Sequence, residues 1–213
     1  MTRRFASSLR RHAPKLNPRQ RFLIVCEGAV TEPRYFVALR NETRNRLVEV
    51  EVIPNCGVPK TLVEYAVERK READRQARQH RDPFLRYEQI WCVFDVDSHP
   101  NLPDAKQQAR DNGLLLAISN PCFELWILLH FQDHFSEQDR VQIRHLCKEY
   151  IPEYGKEVPY GKIRPFYELA LARAVKLERM HEQRDTPGGN PSTGVHRLAE
   201  ALRNVRLGVG GRE

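Results

Sequence analysis

No run of apolar residues in this chain approaches the roughly 20 needed to cross a membrane, and no apolar h-region of a secretory signal stands near its start. The five cysteines (Cys26, Cys56, Cys92, Cys122 and Cys147) include no Cys-x-x-Cys, and four of them sit in apolar surroundings. An odd number without a paired motif predicts free thiols in a reducing cytoplasm. No G-x-x-x-x-G-K-[ST] occurs, so the chain does not bind ATP in a P-loop by itself. No Ser-His-Asp or Cys-His arrangement is legible, and there is no internal repeat or low-complexity tract. His130 and His134 are four residues apart but lack the glutamate between them that a zinc-protease helix needs.

Acidic residues are missing from one segment. Residues 1–21 hold Arg3, Arg4, Arg10, Arg11, Lys15, Arg19 and Arg21 and no Asp or Glu. Of the 35 Lys and Arg, these seven leave 28, equal to the 28 acids, so the whole net charge of +7 lies there. Such an arm suits contact with nucleic-acid phosphates by counterion release. A flexible, solubilising leader reads the same way. Pro14 and Pro18 argue against the amphipathic helix of a transit peptide.

What is present has the proportions of one α/β domain. The chain has 213 residues, 40% hydrophobic and 30% charged. Residues 22–26 (Phe-Leu-Ile-Val-Cys) and Ile90 to Phe94 are continuous apolar runs, as strands buried on both faces are. Val48 to Ile53 alternates apolar and acidic residues, which predicts a half-exposed edge strand. Thr31-Glu32-Pro33 reads as an N-cap and helix entry, and helices are predicted at about Lys60 to His80 and Pro103–Asn112, before a strand at Leu114–Ile118. This alternation predicts a parallel, doubly wound sheet over 22–132. A helical extension over 133–207 follows, with helices at 136–150, 164–183 and 194–206, a loop at 185–193, and a frayed tail at 208–213.

Ligands of open α/β sheets gather outside the carboxyl ends of the strands. Two apolar strands here end in acids: Glu27 after the first, and Asp95-Val96-Asp97 after the third. Residues two apart on an extended segment point the same way, so Asp95 and Asp97 converge. Three such carboxylates repel unless protonated or joined by a cation, and oxygen-only donors favour Mg²⁺ or Mn²⁺ over zinc. Phosphoryl transfer on a metal, with Glu27 as general base or acid, is the chemistry this set suits. The plainer alternative is acids that cap the following helices. Glu124, past the fourth strand, faces the same edge, or else answers a helix dipole. Asn120 is a phosphate or water contact, or an N-cap. Asn190, Ser192 and Thr193 precede a helix and are read as caps or as a phosphate contact at its N-terminus. Lys60 is a further phosphate candidate, or part of a helix cap.

Four segments carry a family resemblance: LIVCEGAVTEPRYF (23–36), WCVFDVDSH (91–99), AISNPCFELWILLHF (117–131) and NPST (190–193). Together they resemble the RloB-like proteins, bacterial proteins associated with phage defence and restriction loci, whose sheet domain is similar to TOPRIM. The resemblance spans roughly residues 20–205. It implies a TOPRIM-like parallel sheet flanked by helices, Glu27 as acid/base residue or metal ligand, and Asp95 and Asp97 as metal ligands. By the same resemblance Glu32 is a further ligand, as the second acid is in OLD-type nucleases, and a partner ATPase is expected. The implied function is a Mg²⁺- or Mn²⁺-dependent nuclease cutting DNA or RNA. The alternative is a non-catalytic nucleic-acid-binding or regulatory subunit with a structural metal. Phosphatases and glycosyltransferases also use Asp-x-Asp, but the former place it after the first strand and the latter have no need of Glu27-Gly28.

Overall fold

The apolar runs become neighbouring strands. The computed structural model describes residues 21–44, 48–52, 58–96, 102–155 and 159–204. Asp97, Cys56 and residues 1–20, with Arg3, Arg4, Arg10 and Arg11, lie outside them. Along the chain run β1 (Phe22–Cys26), α1 (Thr31–Thr43), β2 (Val48–Val52), α2 (Pro59–His80), β3 (Gln89–Asp95), α3 (Leu102–Asp111) and β4 (Leu115–Asn120). Then follow α4 (Glu124–Leu129), α5 (Arg140–Tyr150), α6 (Tyr160–Ile163), α7 (Tyr167–Gln183), β5 (Ser192–Thr193) and α8 (Val195–Arg203).

The described strands form one mostly parallel sheet in the order β2-β1-β3-β4-β5, with β5 antiparallel to β4. β1 is buried along its whole length because both of its faces are covered. Phe22, Ile24 and Cys26 face the core that contains α1, α4, α7 and α8. Leu23 and Val25 face the core built with α2 and α3. The charged strand β2 is an edge, as its alternation predicts. Glu49 pairs with Arg21 at 2.6 Å, and Glu51 accepts a hydrogen bond from Tyr65 at 2.8 Å and pairs with Arg69. Arg21, counted above with the basic arm, is thus held in the fold, its guanidinium 4.3 Å from the Tyr87 ring centroid.

The connection from β1 runs to β2 on one side, and that from β3 runs to β4 on the other. Between the carboxyl ends of β1 and β3 the winding reverses, and at such a switch point an open α/β sheet leaves a crevice.

Local readings shift in four places. Helix α1 starts at Thr31 itself, with Val30 in the capping position, so Thr31 is not the N-cap. Helix α5 starts at Arg140 rather than 136, because Asp139 and Gln142 close a reciprocal capping box with bonds of 2.8 and 3.0 Å. The helix predicted over 164–183 begins with a 3₁₀ turn at Arg164–Phe166 and is regular only from Tyr167; Pro165 has no N–H to give. Within the predicted loop 185–193, Ser192 and Thr193 form β5 against Asn120 and Ser119. A two-residue strand has no periodicity to read.

Candidate functional site

Glu27 leaves β1 by extending its ladder: its N–H donates to the Val93 carbonyl at 3.0 Å. Its Oε2 in turn accepts from the Asp95 N–H at 3.4 Å. Glu27 and Asp95, two of the three strand-end acids that the sequence singled out, are therefore side by side at the switch point. Glu32, in the first turn of α1, reaches back over Gly28. A Cβ on Gly28 would lie 2.0 Å from Glu32 Oε2, so the carboxylate occupies the space a side chain would need. That close approach is the physical requirement behind the Glu-Gly pair.

The fourth acid comes from the other side of the fold. Glu124 opens α4, and its buried side chain meets the Nε of Arg144 on α5 at 2.8 Å. One turn earlier, Arg140 stands 3.5 Å from Asp95 Oδ2. Glu27, Glu32, Asp95, Glu124, Arg140 and Arg144 line a single cleft of about 300 Å³. Four carboxylates face two guanidinium groups, which leaves two formal negative charges for a cation to balance.

The acids feel this crowding. Burial, then the charges of Glu32 and Glu124, hold the Asp95 carboxyl well above the usual carboxylate range, and Arg140 opposes them only in part. Burial also raises Glu32, with Glu124 and Glu27 adding to it, against its own backbone hydrogen bond and Arg144. Protonation is thus favoured more in the folded than in the unfolded chain. The stability from these two groups is fully present below their ordinary values, and is lost as pH rises through the raised ones. The melting temperature of the metal-free protein is expected to fall as pH rises above the ordinary carboxylate range, relative to that of Asp95→Asn, whose amide mimics the protonated acid. Parallel curves for the two proteins would refute this.

Gly28→Ala tests the cradle. The contact it creates is with the end of a flexible side chain, so Glu32 is expected to swing away while the fold survives with little change in melting temperature. Loss of any Mn²⁺-induced stabilisation should accompany the swing. A large drop in stability would mean that the backbone, not the carboxylate, gives way.

The donor chemistry suits a hard cation, all oxygen and net negative. Among the described residues, no three acidic, histidine or cysteine side chains converge closely enough to hold a metal ion. A complete ligand set would therefore draw on Asp97, outside the described residues, or on water. His130 is turned away to the Trp126 carbonyl at 2.9 Å, and Cys26, Cys92, Cys122 and Cys147 are free and buried. Burial pushes the Cys92 and Cys147 thiols up to about 12, far from reactive thiolates.

Other candidates do not reach the cleft. Lys60 is exposed in the first turn of α2 and is not in its lining. Asn120 ties β4 to the loop before β5 through the Gly188 carbonyl at 3.0 Å, and Phe123, not Asn120, occupies the capping position of α4. Asn190 donates to the Gln138 carbonyl at 2.9 Å. The Thr193 hydroxyl is buried against Ser119 Oγ at 3.0 Å, and Gly194 takes the capping position of α8. Ser192 and Thr193 line a separate cavity with His181 and Arg197. These residues fasten the chain rather than gather at the acids. Sequence reading missed Arg140 and Arg144; the available signal was their four-residue spacing, which sets both on one face of α5.

A family model described as RloB-like protein matches residues 22–202. No curated protein and no solved structure matches the chain.

Proposed function

We propose, from the premise that the chain belongs to the RloB-like family, that it is a TOPRIM-type nuclease hydrolysing DNA or RNA with Mg²⁺ or Mn²⁺, acting in the cytoplasm in phage defence beside a partner ATPase. The observation that carries the reading is the contact between Glu27 and Asp95 at the switch point, with Glu32 and Glu124 in the same cleft. Asp95 and Asp97 would hold the metal, with Glu32 as a further ligand. Bound there, a divalent ion supplies Lewis-acid stabilisation of charge on a phosphoryl oxygen. Glu27, touching the Asp95 backbone, is placed to take a proton from an attacking water or return one to the leaving oxygen. Glu124 orients groups at the cleft's far wall. The basic segment 1–21 supplies sequence-independent attraction to the phosphate backbone. Among the described residues no helix is long and apolar enough to cross a membrane.

A second reading, a nucleic-acid-binding or regulatory subunit with a structural metal, is favoured by the two arginines that already stand against Asp95 and Glu124. The deciding experiment incubates the full chain with single- and double-stranded DNA and RNA in Mn²⁺, in Mg²⁺ and in EDTA. Metal-dependent cleavage supports the enzyme. Metal binding without cleavage, also after addition of the partner ATPase, leaves the second reading.

A further inference from the structure

The cleft is layered by charge. The acids that pair with arginine are inside, with 16% of the Asp95 side chain and 5% of the Glu124 side chain exposed, while Arg140 and Arg144 are 37% and 45% exposed. An anion approaching from solvent meets guanidinium before carboxylate. Neither arginine is explained by the helix that carries it. Arg140 is the first residue of α5, where a cation works against the helix dipole. Arg144 gives its Nε–H to Glu124, one of the five donors a guanidinium carries.

We propose that Arg140 and Arg144 form the phosphate-binding element of this cleft, resting on Asp95 and Glu124 when it is empty and engaging a nucleic-acid phosphodiester when it is filled. The nature of the ligand rests on the nuclease reading above. Cation-binding groups inside and anion-binding groups at the rim are the order that a phosphate lying over a metal requires. The planar fork suits such an exchange, because it accepts carboxylate and phosphate oxygens in the same bidentate geometry. Buried Ile143 and Cys147 pack α5 on the core, and both ion pairs join its outer face to acids of other elements, β3 and α4.

The test measures binding of fluorescently labelled DNA and RNA oligonucleotides to the full chain in EDTA, over a range of KCl. Loss of two phosphate contacts in Arg140→Gln/Arg144→Gln is expected to weaken binding and flatten the slope of log affinity against log salt by about 1.4–1.8. Arg140→Lys/Arg144→Lys should restore the slope, since the point charges remain. Mn²⁺ affinity, read by calorimetry, should rise in the glutamine variant because two competing cations are gone. A merely structural pair would lower the melting temperature and leave the slope alone. Should the double variant not fold, Arg140→Gln alone and Glu124→Gln/Arg144→Gln each carry the test, with an expected change of about 0.7–0.9. An unchanged slope, or no binding of either oligonucleotide by the parent protein, overturns the proposal. A parent that binds no Mn²⁺ while the slope still falls would sink the nuclease reading and leave the arginine assignment standing.

Discussion

Asp95→Asn and Glu27→Gln are each expected to reduce Mn²⁺-dependent cleavage by about 100-fold or more, the scale on which losing one preorganised electrostatic contact to the transition state is felt. The fold should not pay for it. Asp95 sits among Glu32, Glu124 and Glu27, and burial already biases it toward its neutral form. Replacing it by the neutral amide removes repulsion, so the metal-free melting temperature should stay level or rise slightly. What should vanish with the activity is the upward shift that Mn²⁺ gives the parent protein, since an ion stabilises only the state that binds it. Thermal melts with and without Mn²⁺ read this arm even where cleavage awaits a partner. Variants that unfold would show that the carboxylates serve the structure, and the site assignment would go with them.

The second large effect concerns Glu124 and Arg144. The carboxylate is buried and its partner is half exposed, at 2.8 Å. Arg144→Gln leaves a buried charge without its ion pair and is expected to cost about 1–3 kcal/mol, less than a fully buried pair because solvent reaches the arginine side. In a chain of this size each kcal/mol corresponds to about 2–4 °C in melting temperature. Glu124→Gln/Arg144→Gln should recover most of that loss, because the uncompensated charge is gone. A double variant no more stable than the single one would mean that Arg144 acts on stability through other contacts. Cleavage separates the roles further. Glu124→Gln alone should lower the rate by orders of magnitude if the acid works on the reacting groups, and leave it near normal if Glu124 only answers its helix and Arg144.

How these residues come together marks where reading a sequence stops. Strand ends are local facts. A continuous apolar run of five residues followed by Glu-Gly tells both that the strand is covered on two faces and where its acid begins, and β1 and β3 stand where those runs place them. Their adjacency follows once strand order is known, since β1 pairs with β3 in register from Phe22 opposite Gln89. The pairing itself has no local signal. Glu124 is a plainer lesson: its position at a helix start fits dipole and site equally well, and only the structure shows that the same carboxylate also lines the cleft, buried beside Arg144. Asn120, Asn190 and Thr193 each hold a hydrogen bond to another segment of the chain, which their place near a helix start does not announce, because a polar residue there looks alike whether it caps, binds, or ties one loop to another.

The sequence by itself determined the α/β class, the buried strands, the charged edge strand and the acids at the ends of β1 and β3, because each rests on periodicity or on residues within a few positions of one another. Only the tertiary structure decided that Glu32 folds back over Gly28, that Glu124 joins the same cleft, and that α5 brings two arginines to its mouth. Glu32 and Gly28 are near neighbours whose contact depends on how α1 leaves β1, while the others join residues far apart in the chain, such as Arg140 and Asp95, separated by 45 positions. Their geometry is set by how α1, α4 and α7 pack on one face of the sheet, a collective result of burying a shared core that no local pattern encodes.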